Sequence, residues 1–278
     1  VLHKGSQQDN LRPILYGESL FVTILATPQR ELLFFDAQWN KISRVMKDLV
    51  DGWDDVVEKS RVLSRLAKEL NYEEYTRVRI HIEFKSPAWP LLRKIALDWD
   101  VKIYAFPVDF SLNQLPSKKV QPFVHVLDPR LMLECKVGSY GIETLNYLKK
   151  DFFSNFDDYL WINPDQSIRE CATSNVFAIL KNGEWITPQV KDCYPGVTRE
   201  HLLTWLKSKK TNVSEGIISL NDLHHVDYLL FTNSIQILGL IELTTFPKIS
   251  SNIQEKIIQW RSDFYLDMLA TTGRQLKS

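Results

Sequence analysis

Charge bias is the first thing this chain of 278 residues lacks. Its 34 Lys and Arg balance 34 Asp and Glu, leaving a formal net charge of zero. A protein built for nucleic acid or an anionic membrane surface ordinarily carries a basic excess, so neither partner is expected. Cysteine is scarce. Cys135, Cys171 and Cys193 are odd in number and far apart, which excludes a disulfide framework and a cysteine-rich metal site. No apolar run has the length of a membrane-crossing helix, and the opening VLHKGSQQDN has no apolar core of the secretory kind. The expectation is a reduced, cytoplasmic protein. Also missing are a Gly-rich phosphate loop, a nucleophile elbow and a His-x-x-x-His pair. His224 and His225 are adjacent, which is not helical metal spacing, so they read as structural or solvated and no metal is expected. There is no internal repeat and no low-complexity tract.

What is present is an ordinary globular composition, 44% hydrophobic and 24% charged, in a chain long enough to bury a sizeable core. The segments 19-SLFVTIL-25 and 31-ELLFF-35 read as strands. From Asp36, a plausible cap, the period changes to helical, with Trp39, Ile42, Val45, Met46 and Leu49 on one face. A helix near 59–70, a strand over 76–84, a helix over 90–98 and a strand over 101–106 follow. The polar, proline-bearing stretch 111-SLNQLPSKKVQP-122 is the best linker candidate. It divides the chain into an N-terminal domain over 1–112, a linker over 113–121 and a C-terminal domain over 122–278. Strands are expected at 158–163, 175–180, 184–188 and 227–232, and helices at 198–208 and 252–269. The last helix carries a capping-box pattern at Asn252 and Glu255. Strands and helices do not alternate one for one, so the fold class is α+β.

Four short segments stand out. In 168-IRECATSNVFAIL-180 a glutamate enters a small polar turn that leads into a buried strand. Alone it reads as a turn rich in backbone-bonding residues. In 195-PGVTREHLL-203 a Pro-Gly pair opens an amphipathic helix, either a simple N-terminus or an anion site made of backbone N–H groups and the Thr198 hydroxyl. In 231-FTNSIQILGL-240 Thr232, Asn233 and Ser234 follow a strand, to cap a turn or to meet a second face of the same anion. Finally, 16-YGESLFVTI-24 breaks into a strand whose first face is suited to line a cleft.

In this order the four segments resemble the fold-type IV pyridoxal-phosphate enzymes, the class IV aminotransferase family. Its members show a Tyr/Phe-Gly-Asp-x-hydrophobic-Phe stretch, a cofactor lysine, a Glu-x-x-x-Ser-Asn-hydrophobic-Phe segment, a Pro-Gly-Ile-Thr-Arg segment and a late small polar turn. The pairing of 170-ECATSNVF-177 with 195-PGVTR-199 is the most specific part. The resemblance implies a two-domain D-amino acid aminotransferase-like fold, pyridoxal 5'-phosphate as cofactor, and a homodimer whose subunits share active-site residues.

The family's lysine forms a Schiff base with the cofactor, and two positions compete for that role in 135-CKVGSYGIETLNYL-148. If 141-GIETLN-146 is laid on the lyases' Gly-hydrophobic-Lys-x-Leu-Asn pattern, Glu143 replaces the lysine and the protein is a cofactor-free scaffold. However, 27 residues separate Glu143 from Glu170, whereas 34 separate Lys136 from it. The family interval lies in the low-to-middle thirties. The local run Lys136-Val137-Gly138-Ser139-Tyr140 also resembles the start found in many members, where small residues let the backbone approach the cofactor. Lys136 is therefore the candidate.

The resemblance implies the remaining roles. Glu170 lies beside the pyridine nitrogen. The amides of Val197 and Thr198 and the Thr198 hydroxyl hold the phosphate, and Thr232 or Asn233 completes the cup. Tyr140 reaches the phenolic oxygen. Where the family usually has His-x-x-Arg, this chain has 38-QWNK-41, so Lys41 keeps the charge but not the bidentate fork. Thr23 in Phe21-Val22-Thr23, closer to the lyases' Phe-Thr-Thr, and Arg79 are substrate-side candidates. Arg77, Arg79 and Lys85 flank the same strand and equally suit a surface-charge reading. The Thr23 segment and 232-TNSIQILGL-240 lean toward 4-amino-4-deoxychorismate lyase. The segment 84-FKSPAWPLLRK-94 lacks the Arg-x-His pair of D-amino acid aminotransferases. An aminotransferase acting on branched-chain or other small amino acids is the alternative.

Overall fold

The computed structural model describes residues 19–70, 72–85, 98–124, 136–137, 155–244 and 249–276. Expectations at 86–97, at Cys135, and at Tyr140 and Glu143 lie outside them. Among the described residues an antiparallel sheet and a mixed sheet, with helices packed against them, form an α+β fold.

The first sheet is built on β1 (Ser19–Ala26), which is buried along its whole length. Leu20, Val22 and Ile24 enter one core while Leu25 enters another. A strand covered on both faces reads as a continuous apolar run rather than an alternation. β1 pairs with β2 (Glu31–Leu33) at one end and with β3 (Thr76–Lys85) along its length. β3 pairs with β4 (Asp98–Pro107). Helix α1 (Phe35–Leu49) and α2 (Asp55–Glu69) cover this sheet. Phe35, Trp39 and Trp53 stack in sequence, with centroids 6.0 and 6.1 Å apart. Asp36 is not the cap of α1. That position is Phe34, in the left-handed region at φ 59°. The Asp36 carboxylate instead takes Lys59 at 2.8 Å and Arg274 at 2.6 Å.

Part of the expected linker belongs to β5 (Ser117–Val124), a strand of the second sheet. Lys118 and Val120 alternate inward while Pro122 occupies a position that pairs with β7. The polar look of the segment reflects one exposed face, not absence of structure. β6 (Lys136–Val137) returns to the first sheet against β1. Then come β7 (Asp158–Ile162), β8 (Ile168–Cys171), β9 (Asn175–Leu180), β10 (Trp185–Thr187), helix α3 (Val197–Ser208), β11 (Val213–Glu215), β12 (Val226–Asn233) and β13 (Ile237–Glu242). Helix α4 (Ser251–Thr272) follows, with Ser250 rather than Asn252 at its N-cap position and no side-chain cap bond there. The chain then adds β14 (Gly273–Gln275) to β2, so the first sheet ends on C-terminal residues.

The second sheet runs β11-β10-β9-β12-β13-β5-β7-β8. It curls on itself: β8, at one end, meets β9 again through the paired Cys171 and Ser174. Val120, Leu160, Ile168, Val176 and Phe231 fill the curl. On its outer side α3 and α4 pack Leu202, Phe264 and Met268 against Phe177 and Leu230. Buried Arg261 of α4 donates to the carbonyls of Gln236 at 3.1 Å and Ser111 at 2.6 Å. It thereby ties the β12–β13 turn to the segment that crosses between the sheets. Gly239 is obligatory at that crossing, because a Cβ there would overlap the Phe231 ring and the Pro116 carbonyl.

Candidate active site

A cleft opens where β6 of the first sheet faces the β8–β9 hairpin and the start of α3. Lys136, Glu170, Asn175, Tyr194, Val197, Thr198 and Ser234 are among the residues that line it.

Lys136 sits opposite Phe21 in the β1–β6 register. Its Nζ lies 5.9 Å from the Phe21 ring centroid and 5.6 Å from that of Tyr194. On the facing wall Glu170 is 2% exposed. Asn175, directly across the hairpin, donates from Nδ2 to Glu170 Oε2 at 2.9 Å and to the Tyr194 carbonyl at 2.8 Å. The second bond joins the hairpin to the loop that enters α3. Gly196 follows, and a Cβ there would overlap Asn175 Oδ1. The two sequence segments 170–177 and 195–199 are therefore one packed unit.

Gly196 is the N-cap of α3 and no side chain caps the helix. Its first-turn amides and positive dipole end are presented to the cleft at Val197 and Thr198. Around them, Gln38 Nε2 donates to Ser234 Oγ at 3.1 Å, and Ser234 Oγ lies 3.5 Å from Thr198 Oγ1. Amides, hydroxyls and an amide side chain converge with no carboxylate among them, which suits a phosphate.

The remaining predicted residues fall around this cup. Thr232 and Asn233 line the cleft, but their side chains brace its rim. The Thr232 hydroxyl donates to the Ile237 carbonyl, and Asn233 Oδ1 accepts from the amides of Ile235 and Gln236 at 3.0 and 2.8 Å. Ser234, next along, is the one whose hydroxyl faces Thr198. Lys41 Nζ donates to the Pro195 carbonyl and lies 5.0 Å from the Tyr194 centroid, so it supports the α3 entry from α1. Thr23 is buried on β1 opposite Arg79 of β3. The Arg79 guanidinium lies 4.8 Å over the Phe21 ring. Arg199, within the same Pro-Gly-Val-Thr-Arg run, points away and bonds the Pro188 carbonyl and Glu215.

Sequence reasoning passed over Gln38, Asn175 and Tyr194 as site residues, and gave Ser234 only a choice between capping a turn and meeting the anion. Each stood inside or beside a motif that had been noted. The signal for Asn175 and Gly196 is mutual, since each makes sense only beside the other.

Nucleophilic cysteine chemistry is disfavoured at the two described thiols. Burial pushes Cys193 up to about 12 and raises Cys171 as well, keeping both protonated. No cluster of three or more His, Cys, Asp or Glu side chains suited to a metal occurs among the described residues.

His81 stacks on Phe21 at 5.1 Å, and burial, with the Arg79 charge, pushes its pKa down to about 4. The folded protein thus keeps His81 neutral while the unfolded chain takes up a proton near pH 6.5. Its contribution to stability is full above pH 6.5 and declines as pH falls toward 4. NMR titration of the His81 ring should show this low midpoint, and His81→Asn should flatten the pH dependence of urea unfolding in that window; a midpoint near 6.5 contradicts the packing described.

The Asn175–Gly196 contact makes a second prediction. Gly196→Ala should cost about 1–3 kcal/mol, as overpacking does. In an Asn175→Ala background, where the space is free, the cost should fall, giving a coupling of about 0.5–3 kcal/mol in a urea-unfolding double-mutant cycle. Additive effects would mean that the two motifs do not pack as one unit.

The family described as amino-transferase class IV matches residues 19–241. A branched-chain-amino-acid aminotransferase of Pseudomonas aeruginosa is 23% identical over 139 residues, 50% of this chain and 45% of that protein, so the chain spans about half the length of that curated relative. Among solved structures, the branched-chain aminotransferase of Thermoproteus uzoniensis with norvaline aligns at TM-score 0.78 and 16% identity, covering 96% of this chain and 92% of that one. The Escherichia coli branched-chain amino acid aminotransferase aligns at 0.78 and 16% over the same shares. A Legionella pneumophila protein provisionally named 4-amino-4-deoxychorismate lyase aligns at 0.75 and 19%, covering 95% and 96%. At such identities the structural likeness shows the fold, while the match over 19–241 shows the family: the chain belongs to the class IV aminotransferases, a family of pyridoxal-phosphate-dependent enzymes.

Proposed function

We propose that the cleft binds pyridoxal 5'-phosphate and acts as a lyase, converting 4-amino-4-deoxychorismate to 4-aminobenzoate and pyruvate. The observation that carries the cofactor reading is the placement of Lys136, Glu170 and the uncapped start of α3 around one cleft. The residues fit the group. The Val197 and Thr198 amides, the Thr198 and Ser234 hydroxyls and Gln38 would hold the phosphate, and the buried Glu170 would hold positive charge at the ring nitrogen. When bound, the cofactor supplies the electron sink that the chemistry needs. Lys136 is the covalent anchor, and its Nζ afterwards takes the proton from the amine-bearing carbon. Asn175 keeps Glu170 oriented through the 2.9 Å bond. Lys41 acts indirectly, through the Pro195 carbonyl.

The choice of a ring-bearing, acidic substrate rests on the face beside Lys136. Arg79 lies over Phe21 and Arg77 over Phe106, at 4.8 and 5.0 Å. Tyr104, opposite Arg79 in the β3–β4 register, is exposed beside them. Such a surface offers carboxylate partners and aromatic planes together, with Thr23 at its inner edge. The likeness to branched-chain aminotransferases favours a second reading, transamination of a branched-chain or other small amino acid. A homodimer with a shared active site, in the reduced cytoplasm, belongs to either reading.

The two readings separate in one experiment. Protein loaded with pyridoxal phosphate should show a visible band that borohydride bleaches and that Lys136→Ala lacks. It should release pyruvate from aminodeoxychorismate with no keto acid present, and Arg79→Ala should cost about tenfold or more in kcat/KM. Turnover only with 2-oxoglutarate establishes the aminotransferase. Absence of the band from wild type returns the chain to the cofactor-free scaffold.

A further inference from the structure

Two buried residues stand behind one wall of the cleft. Lys118 of β5 is 8% exposed and Asp158 of β7 is 1% exposed, and they pair at 3.1 Å. Between them and the cleft is Thr173. Its hydroxyl donates to Asp158 Oδ2 at 2.5 Å and accepts from Lys118 Nζ at 2.7 Å, so the three side chains close a ring. Lys118 also reaches Ser174 Oγ at 3.4 Å and rests 4.6 Å from the Phe231 centroid. The other Asp158 oxygen accepts from the Tyr159 amide at 2.8 Å.

The ring acts on a turn that does not set itself. β8 reverses into β9 through Ala172 and Thr173, with Cys171 and Ser174 exchanging backbone bonds at 2.8 and 3.3 Å. Two-residue hairpin loops favour turns with a left-handed residue, most often Gly or Asn, because those match the twist of the strands. Neither Ala172 nor Thr173 has a positive φ. The turn is therefore held from outside: by the Ala172 amide on the Tyr159 carbonyl at 3.1 Å, and by Lys118 and Asp158 on Thr173. Ala172, Thr173 and Ser174 all line the cleft, and Glu170 and Asn175 flank them.

A buried ion pair is a costly way to gain stability, since apolar residues of the same volume do as well. Its use here fits a positional task. We infer that Lys118 and Asp158 are positioning residues, which hold the Ala172–Ser174 turn at the depth that orients the amine substrate against Lys136. This rests on the reading of the cleft as a pyridoxal-phosphate amine site, and it adds a device that none of the cofactor contacts requires.

The test uses three variants of the full chain: Thr173→Val, which deletes the hydroxyl but leaves the ion pair; Thr173→Ser, which restores the hydroxyl; and Lys118→Met combined with Asp158→Asn, which removes both charges together. In the apoprotein, hydrogen exchange at the 172–174 amides should be faster than wild type in the first and third and unchanged in the second. In the loaded protein, KM for the amine should rise by about tenfold in the first and third, the cost of a small displacement of a positioning wall. The Kd for pyridoxal phosphate, read from the visible band, should stay within about twofold, because the anchoring lysine and the cup are untouched. Unchanged exchange in Thr173→Val overturns the proposal, and that arm needs no cofactor. So does a KM effect confined to Thr173→Val, which would make the hydroxyl a direct substrate contact. A wild type without a visible band refutes the functional reading instead and leaves the exchange result to judge the turn.

Discussion

Asn175 has two amide hydrogens, and both are committed: one to the Glu170 carboxylate, the other to the Tyr194 carbonyl. Its oxygen occupies the space a side chain at residue 196 would need. The acidic wall of the cleft, the loop from β10 and the first turn of α3 are therefore spaced by a single side chain. A buried carboxylate is costly unless hydrogen-bonded, so Asn175 stabilises Glu170 where it stands. The same residue admits only glycine at the helix start, and glycine leaves the first-turn amides uncovered. An acid that favours positive charge and a helix end that favours negative charge thus come to opposite parts of one cleft.

The rest of the fold delivers groups to that pair. The first sheet contributes Lys136 through the short register of β6 on β1, with Phe21 directly opposite. Helix α1 reaches across to give Gln38 to the cup and Lys41 to the Pro195 carbonyl. Arg261, buried in α4 with carbonyl partners, fixes the turn that carries Ser234. Burial pulls its pKa down to about 10, still charged at neutral pH. The rim of the cleft is thus attached to the same helix that packs the outer core through Phe264 and Met268. Core packing and site geometry share their supports.

Much of this was legible in the chain. The strand at 19–25, the amphipathic face of Trp39, Ile42 and Met46, and the helices beginning near 197 and 251 follow from periodicity, because each buries a defined stripe. The interval to Glu170 favoured Lys136 over Glu143; Lys136 lines the cleft, and Glu143 lies outside the described residues. What stayed hidden has physical reasons. β5 looks like a linker because one of its faces is wet and because Pro122 breaks the pattern. Phe34 rather than Asp36 caps α1, since a left-handed backbone there turns the chain and leaves Asp36 for Lys59 and Arg274. The short strands β6, β8, β11 and β14 carry too few residues for a period. Gln38 owes its role to a contact with Ser234, 196 residues away, which no local pattern contains.

The central claim is that Lys136, among all the lysines of the chain, is the covalent anchor facing Glu170. Its most direct test is to load the protein with pyridoxal phosphate, reduce with borohydride, digest, and locate the modified lysine by mass spectrometry. The expected result is a single modified peptide carrying the adduct on Lys136. An adduct on another lysine, or a scatter of partial modification over surface lysines with Lys136 unmodified, would contradict it.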